Sequence, residues 1–118
     1  MSRVEFFTPY ELGPHSWGTE LLVAHTPDYI GKVSWMRESA SGARQSHARK
    51  DESVYVFSGA VRLISADEGD TTRQRIYILK AGMAVRIPPG TVHQVEALED
   101  TVLFETSTPV FDDRIPAA

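Results

Sequence analysis

Residues 52–59 read ESVYVFSG and residues 82–93 read GMAVRIPPGTVH. In the first stretch Val54 and Val56 fall on one side of an extended chain. Ser53, Tyr55 and Phe57 fall on the other, because side chains alternate across a strand. In the second, the run Met83–Ile87 ends at Pro88, Pro89 and Gly90. Two fixed φ angles there precede a residue free to take φ > 0. His93 follows three positions later, at the start of another β-rich run.

The same signals recur on both sides of these stretches. Leu21–His25, Ile30–Met36, Val61–Ser65, Gln74–Leu79, Val92–Glu96 and Val102–Glu105 are short, rich in β-formers, and bounded by Gly, Pro, Asp or Ser. Turn residues at intervals of roughly 8–12 positions predict an all-β sandwich or barrel. No window carries a helical stripe. A single turn of helix is expected near Thr8–Leu12, where Pro9 suits a first helical turn. Residues 67–70, DEGD, read as an exposed hairpin turn. No internal repeat is visible, so one barrel spanning 1–118 is expected.

Composition sets the bounds. A chain of 118 residues with 42% hydrophobic and 24% charged side chains forms one globular domain. With no cysteine there is no disulfide, thiolate metal site or thiol nucleophile. Any metal must be held by His, carboxylate or amide oxygen. A net charge of −4 weighs against a nucleic-acid partner. The longest apolar stretch, Leu21 to Ala24, is far too short to cross a membrane. A soluble, cytoplasmic protein is expected.

The chain has four histidines, His15, His25, His47 and His93. Gln45 and His47 stand two apart, a spacing that puts both on one face of a strand. Glu52 opens the next apolar run, and His93 begins another. A barrel would let an amide oxygen, two imidazoles and a carboxylate converge on a metal ion. Taken singly, each has an ordinary reading: a hydrogen-bonded surface His, a polar loop Gln, and a solvated Glu beside Lys50 and Asp51. Arg44, Arg49 and Lys50 read by default as a solvated loop, with recognition of a substrate anion as the alternative. Trp17 and Trp35 read as core or barrel-mouth packing. Asp112 and Asp113 read as surface or edge-strand positions, and His15 and His25 have no ligand spacing.

Together these residues resemble the paired motifs of the cupin superfamily, H-x-H-x4-E-x6-G and G-x5-P-x-G-x-x-H. Motif 1 lies at about 42–59 and motif 2 at about 82–97. Gln45 takes the place of the first His of motif 1, and Ala97 stands where motif 2 often ends in Asn. The resemblance implies an all-β, single-domain cupin jelly-roll barrel. It also implies one divalent ion, Zn first and otherwise Mn, Fe, Co or Ni, held by Gln45, His47, Glu52 and His93. The Gln-x-His pair resembles the zinc shell of phosphomannose isomerases in that superfamily. Residues 16–20, SWGTE, and 105–113, ETSTPVFDD, are similar to segments of the small single-barrel relatives of the sugar-phosphate isomerases.

An amide oxygen donates less than imidazole, so such a metal keeps electrophilic character for polarising a carbonyl. The expectation is an isomerase- or epimerase-like enzyme acting on a small polar metabolite inside the barrel. Glu105 is a candidate base. Two other readings are an oxidative, Fe-dependent cupin and a non-catalytic small-molecule-binding barrel. A homodimer is expected, through Val4–Phe7 or the apolar face around Phe57.

Overall fold

The computed structural model describes residues 3–67, 69–111 and 113–117, so Glu68 and Asp112 lie outside the described residues. The strands are β1 (Tyr10–His15), β2 (Gly18–His25), β3 (Ile30–Met36), β4 (Gln45–His47), β5 (Glu52–Ser58) and β6 (Ala60–Asp67). They continue with β7 (Asp70–Lys80), β8 (Ala84–Ile87), β9 (Thr91–Ala97), β10 (Thr101–Ser107) and β11 (Arg114–Pro116). Every pairing is antiparallel. One sheet runs β1-β2-β3-β10-β5-β8 and the other β11-β4-β9-β6-β7. This is the all-β architecture that the strand pattern predicts and the jelly-roll that the cupin resemblance implies.

All eight predicted strands are present, most of them a residue or more longer at one end or both. The alternation in β5 is borne out: Val54 and Val56 are buried, while Tyr55 and Phe57 face out. The hairpin at 67–70 closes with Asp67 opposite Asp70. The helical turn near Thr8–Leu12 is not formed. Residues 10–12 instead pair with β2, Tyr10 opposite Leu22 and Leu12 opposite Glu20. A free sheet edge offers a row of backbone partners, and that outweighs a weak local helix signal. β4 and β11, three residues each, pair with one another and are too short for an alternation signal.

The core is a cluster of Met36, Val54, Val56, Val61, Leu63, Leu79, Ile87, Ala97 and Leu103 between the sheets. Burying a side chain such as Val56 stabilises by roughly 1.5–3 kcal/mol. Ala97, the departure at the end of motif 2, is part of this packing. Met36, Val54, Ile87 and Leu103 also line a cavity of about 770 Å³. No helix among the described residues is long and apolar enough to cross a membrane.

Gly59 joins β5 to β6 with φ 89°, and a Cβ there would land on the carbonyl oxygen of Asp100 and on Thr101. Both the backbone angle and the space exclude a side chain. Gly59→Ala is therefore expected to destabilise by about 1–3 kcal/mol, read as a lower urea midpoint at unchanged slope. A midpoint equal to that of the parent protein would contradict the turn geometry.

Candidate metal centre

The cavity gathers the predicted donors from both sheets. Gln45 and His47 lie on β4, and His93 on β9 stands directly opposite Gln45 in register. Glu52 comes from the facing sheet, where β5 lies between β10 and β8. One donor atom from each of His47, Glu52 and His93 lies within 4.8 Å of the others, and all three residues are buried. The turn before β9 ties the two histidine strands together: Gly90, at φ 80°, donates its N–H to the His47 carbonyl at 2.8 Å.

Both rings are fixed by partners away from the shared centre. His47 Nδ1 is 3.1 Å from Asp113 Oδ1. His93 Nδ1 is 3.0 Å from the Thr91 carbonyl oxygen, which can only accept. The Nε2 atoms are thereby left for other work. His93 Nε2 lies 3.2 Å from Glu52 Oε1. A ring that donates from both nitrogens is an imidazolium. Burial opposes that charge, but the bonds to Glu52 and to the Thr91 carbonyl outweigh it and raise the His93 pKa. Burial likewise opposes the Glu52 carboxylate, yet His93, Lys50 and His47 bring its pKa down to about 2. For His47 burial wins, and its pKa falls.

Gln45 lines the same cavity, and its Oε1 is buried with no hydrogen-bond partner. An orphaned amide oxygen costs free energy unless something accepts its lone pair. A divalent cation would do so. The 3.2 Å approach of His93 Nε2 to Glu52 Oε1 brings a ring nitrogen and a carboxylate oxygen together as two ligands of one cation would lie. A nitrogen and oxygen donor set without thiolate suits a divalent first-row metal. The residues present fit the group.

Further charges line the cavity beyond these donors. Lys50 is only 6% exposed, with Nζ 3.3 Å from Glu52 Oε2 and 3.5 Å from Glu105 Oε2. The solvated-loop reading is thus corrected for Lys50. Arg49 is exposed as expected, and Arg44 does not line the cavity. Glu105 also faces Lys32 Nζ at 3.7 Å, and Lys32 faces Glu20 Oε2 at 3.8 Å. Glu20 in turn meets His15 Nε2 at 3.1 Å, and the His15 ring stacks on Trp17. Burial and the neighbouring Glu52 charge raise the Glu105 pKa, which the two lysines only partly counter.

Sequence reasoning left His15 unassigned, met Glu20 only within the 16–20 segment, and passed over Lys32. A signal existed: Lys32 shares the alternation of Ile30, Ser34 and Met36, so it is a charge on an inward face. Asp113 is also corrected, since its side chain is only 6% exposed and holds His47. Trp17 packs against the core as expected, whereas Trp35 is 44% exposed on the outer sheet face.

Two facing antiparallel sheets with an inward His/Glu/His group between them are the architecture of a metal-binding jelly-roll protein. The chain belongs to the cupin family: the family described as "Cupin domain" matches residues 34–105, more than half of the chain. Solved structures agree on the fold. KdgF from Halomonas sp. is 28% identical with a TM-score of 0.73, over 88% of this chain and 89% of KdgF. The capsular polysaccharide assembling protein CapF from Staphylococcus aureus is 20% identical with a TM-score of 0.82, over 93% of this chain and 32% of CapF. Bacillus subtilis oxalate decarboxylase, which has Mn(II) centres, is 18% identical with a TM-score of 0.74, over 85% of this chain and 27% of that one. This chain therefore spans about a third of the length of CapF. No curated protein sequence matches it significantly.

Proposed function

We propose that this cupin binds one divalent metal ion, Zn first, through Gln45, His47, Glu52 and His93. On this reading it is an isomerase- or epimerase-like enzyme of the phosphomannose isomerase-like type. Its substrate is a small polar hydroxy-carbonyl compound such as a sugar phosphate. The observation that carries the reading is the placement of Glu105, a half-buried carboxylate of raised basicity, in the same cavity as the donor set. When bound, the metal supplies Lewis-acid polarisation of a carbonyl oxygen.

The protein's own side chains supply the proton transfer. Moving a proton between adjacent carbons needs a base that is shielded from water yet stays ionised. Burial raises the Glu105 pKa toward that need, while Lys32 and Lys50 at 3.7 and 3.5 Å partly offset the rise. Glu105 takes the proton from the carbon beside the carbonyl and returns it to the former carbonyl carbon, while the hydroxyl proton on the first carbon passes to the oxygen of the second, so that one C=O forms as the other becomes C–OH. Lys50 stands close enough to Glu105 to balance the charge as the proton moves. A cytoplasmic location is part of the same proposal.

The test is exchange of substrate carbon-bound protons into D2O, followed by NMR over a panel of aldose and ketose phosphates. Glu105→Gln is expected to slow exchange by about 10²–10⁴-fold at unchanged metal content. No exchange on any panel member, with the metal retained, would end the isomerase reading and leave a binding barrel.

The homodimer is proposed through the outer face of the six-stranded sheet. Trp35, Tyr55, Phe57 and Phe104 are 44%, 38%, 57% and 36% exposed on its central strands. Tyr55 stacks on Phe104, and Phe57 lies 5.2 Å from it, centroid to centroid. An exposed aromatic patch of this kind marks an interaction surface, and a two-fold dimer would lay it against its own copy. Light scattering is expected to give twice the chain mass, and Phe57→Glu to give a monomer. A monomeric wild type at micromolar concentration would remove the proposal.

A further inference from the structure

Asp113 is not among the metal donors, and the proposed reaction makes no use of it. Its carboxylate is nonetheless fully engaged. Oδ1 lies 3.1 Å from His47 Nδ1, and Oδ2 accepts from the backbone N–H groups of Arg49 at 2.6 Å and Lys50 at 2.8 Å. A carboxylate can only accept, so His47 must carry its proton on Nδ1. That leaves the lone pair on Nε2. Isolated neutral imidazole side chains favour the opposite tautomer, so the carboxylate sets the one needed for ligation at Nε2.

The residues around Asp113 extend this hold along β4. Arg114, Ile115 and Pro116 lie opposite His47, Ser46 and Gln45. Ala117 N–H donates to the Arg44 carbonyl, and Ala48 N–H to the Asp113 carbonyl. Thr108 and Asp51 exchange two further bonds, Thr108 N–H to the Asp51 carbonyl and Asp51 N–H to Thr108 Oγ1. On its other side β4 has only one register pair with β9, Gln45 opposite His93. A three-residue strand with one such pair is weakly held, so β11 and Asp113 supply much of what fixes Gln45, His47 and Lys50 in place.

We propose that Asp113 is the positioning residue of the metal centre. It sets the His47 tautomer and, with β11, couples metal affinity to the docking of residues 113–117 on β4. This rests on the metal-binding reading above. The coupling is reciprocal: what loosens the segment weakens the ion, and the ion tightens the segment. Sequence reasoning placed Asp113 at a surface or edge-strand position; it does adjoin the edge strand β11, but nothing in its neighbourhood shows that β11 returns to β4.

The experiment uses the full chain with Zn²⁺ alone as the probe. Competition with a chromogenic chelator is expected to show about 10–100-fold weaker binding for Asp113→Ala. Asp113→Asn keeps one acceptor oxygen and is expected to recover part of that loss. A second measurement needs no metal. Nitrogen-15 NMR of the chelator-treated protein is expected to show His47 protonated at Nδ1, and shifted toward Nε2 in Asp113→Ala but not in Asp113→Asn. A merely structural role would not move the tautomer. Wild type and Asp113→Ala binding Zn²⁺ within twofold of each other, or sharing one tautomer, would overturn the inference while the metal reading stands. A wild type that takes up no Zn²⁺ overturns that reading and the coupling with it.

Discussion

Replacing His93 by alanine is expected to lower metal affinity by well over a hundredfold. Partners one step removed from a metal already account for about 10–100-fold, and a donor lost outright costs more. The physical consequence is a loss of metal-linked stability. An ion that binds only the folded barrel stabilises it by about 2.7 kcal/mol at a hundred times its dissociation constant, and by about 4.1 at a thousand times. The informative quantity is the difference in melting temperature with and without metal. His93→Ala also breaks the 3.2 Å pairing with Glu52, so the metal-free proteins differ as well. Wild type is expected to gain several degrees on adding Zn²⁺ and His93→Ala almost none. A full equivalent of metal retained by His93→Ala after dialysis against chelator would show that the donor set is wrong. The ring also sets the pH dependence. Its pKa is raised in the metal-free protein, and ligation requires the proton to leave Nε2. Affinity should therefore fall about tenfold per pH unit below that pKa. Gln45→His should keep the metal and bind it more tightly, since imidazole is the stronger donor.

Lys50→Met is expected to be the most destabilising single change in the metal-free protein, by about 3–5 kcal/mol at neutral pH. The ammonium sits between Glu52 and Glu105, and its removal leaves two carboxylates facing each other without it. Burial disfavours the Lys50 charge, but Glu105 and Glu52 outweigh that and raise its pKa, so it remains ionised across the usual range. The sign with pH follows from Glu105. Its folded pKa is already above the ordinary value, and losing Lys50 raises it further. A carboxyl whose folded pKa is raised gains stability as pH falls through that value. The penalty of Lys50→Met should thus be larger at alkaline than at mildly acidic pH. Urea unfolding in chelator at one pH of each kind reads this directly. A variant as stable as wild type at both would place the ammonium outside the cluster.

The aromatic face and the inner cavity are opposite sides of the same central strands. Phe104 and Glu105 are neighbours on β10, and Tyr55 and Val54 are neighbours on β5, each pair split between the two faces by the strand period. Phe57→Glu should therefore change assembly without changing metal uptake, while Lys50→Met and His93→Ala should do the reverse. That separation makes the proposals on site and dimer independently testable.

The sequence by itself determined the strand-rich architecture, because alternation in stretches such as 52–58 and turns at Gly59 and Pro88–Gly90 are local properties of the chain. It also marked Gln45, His47, Glu52 and His93, through the resemblance of their two stretches to the paired cupin motifs. The tertiary structure alone decided how they meet. Glu52 comes from the sheet opposite His47 and His93, and Gln45 faces His93 across a single register pair. It also decided that residues 10–12 form an edge strand and that Lys50 is buried. It brought Asp113, 66 positions from His47, to that ring. Those outcomes depend on backbone partners and charges far away in sequence. A lysine two residues before Glu52 reads as solvated until the facing sheet supplies Glu105, and an aspartate reads as surface until β11 folds back on β4.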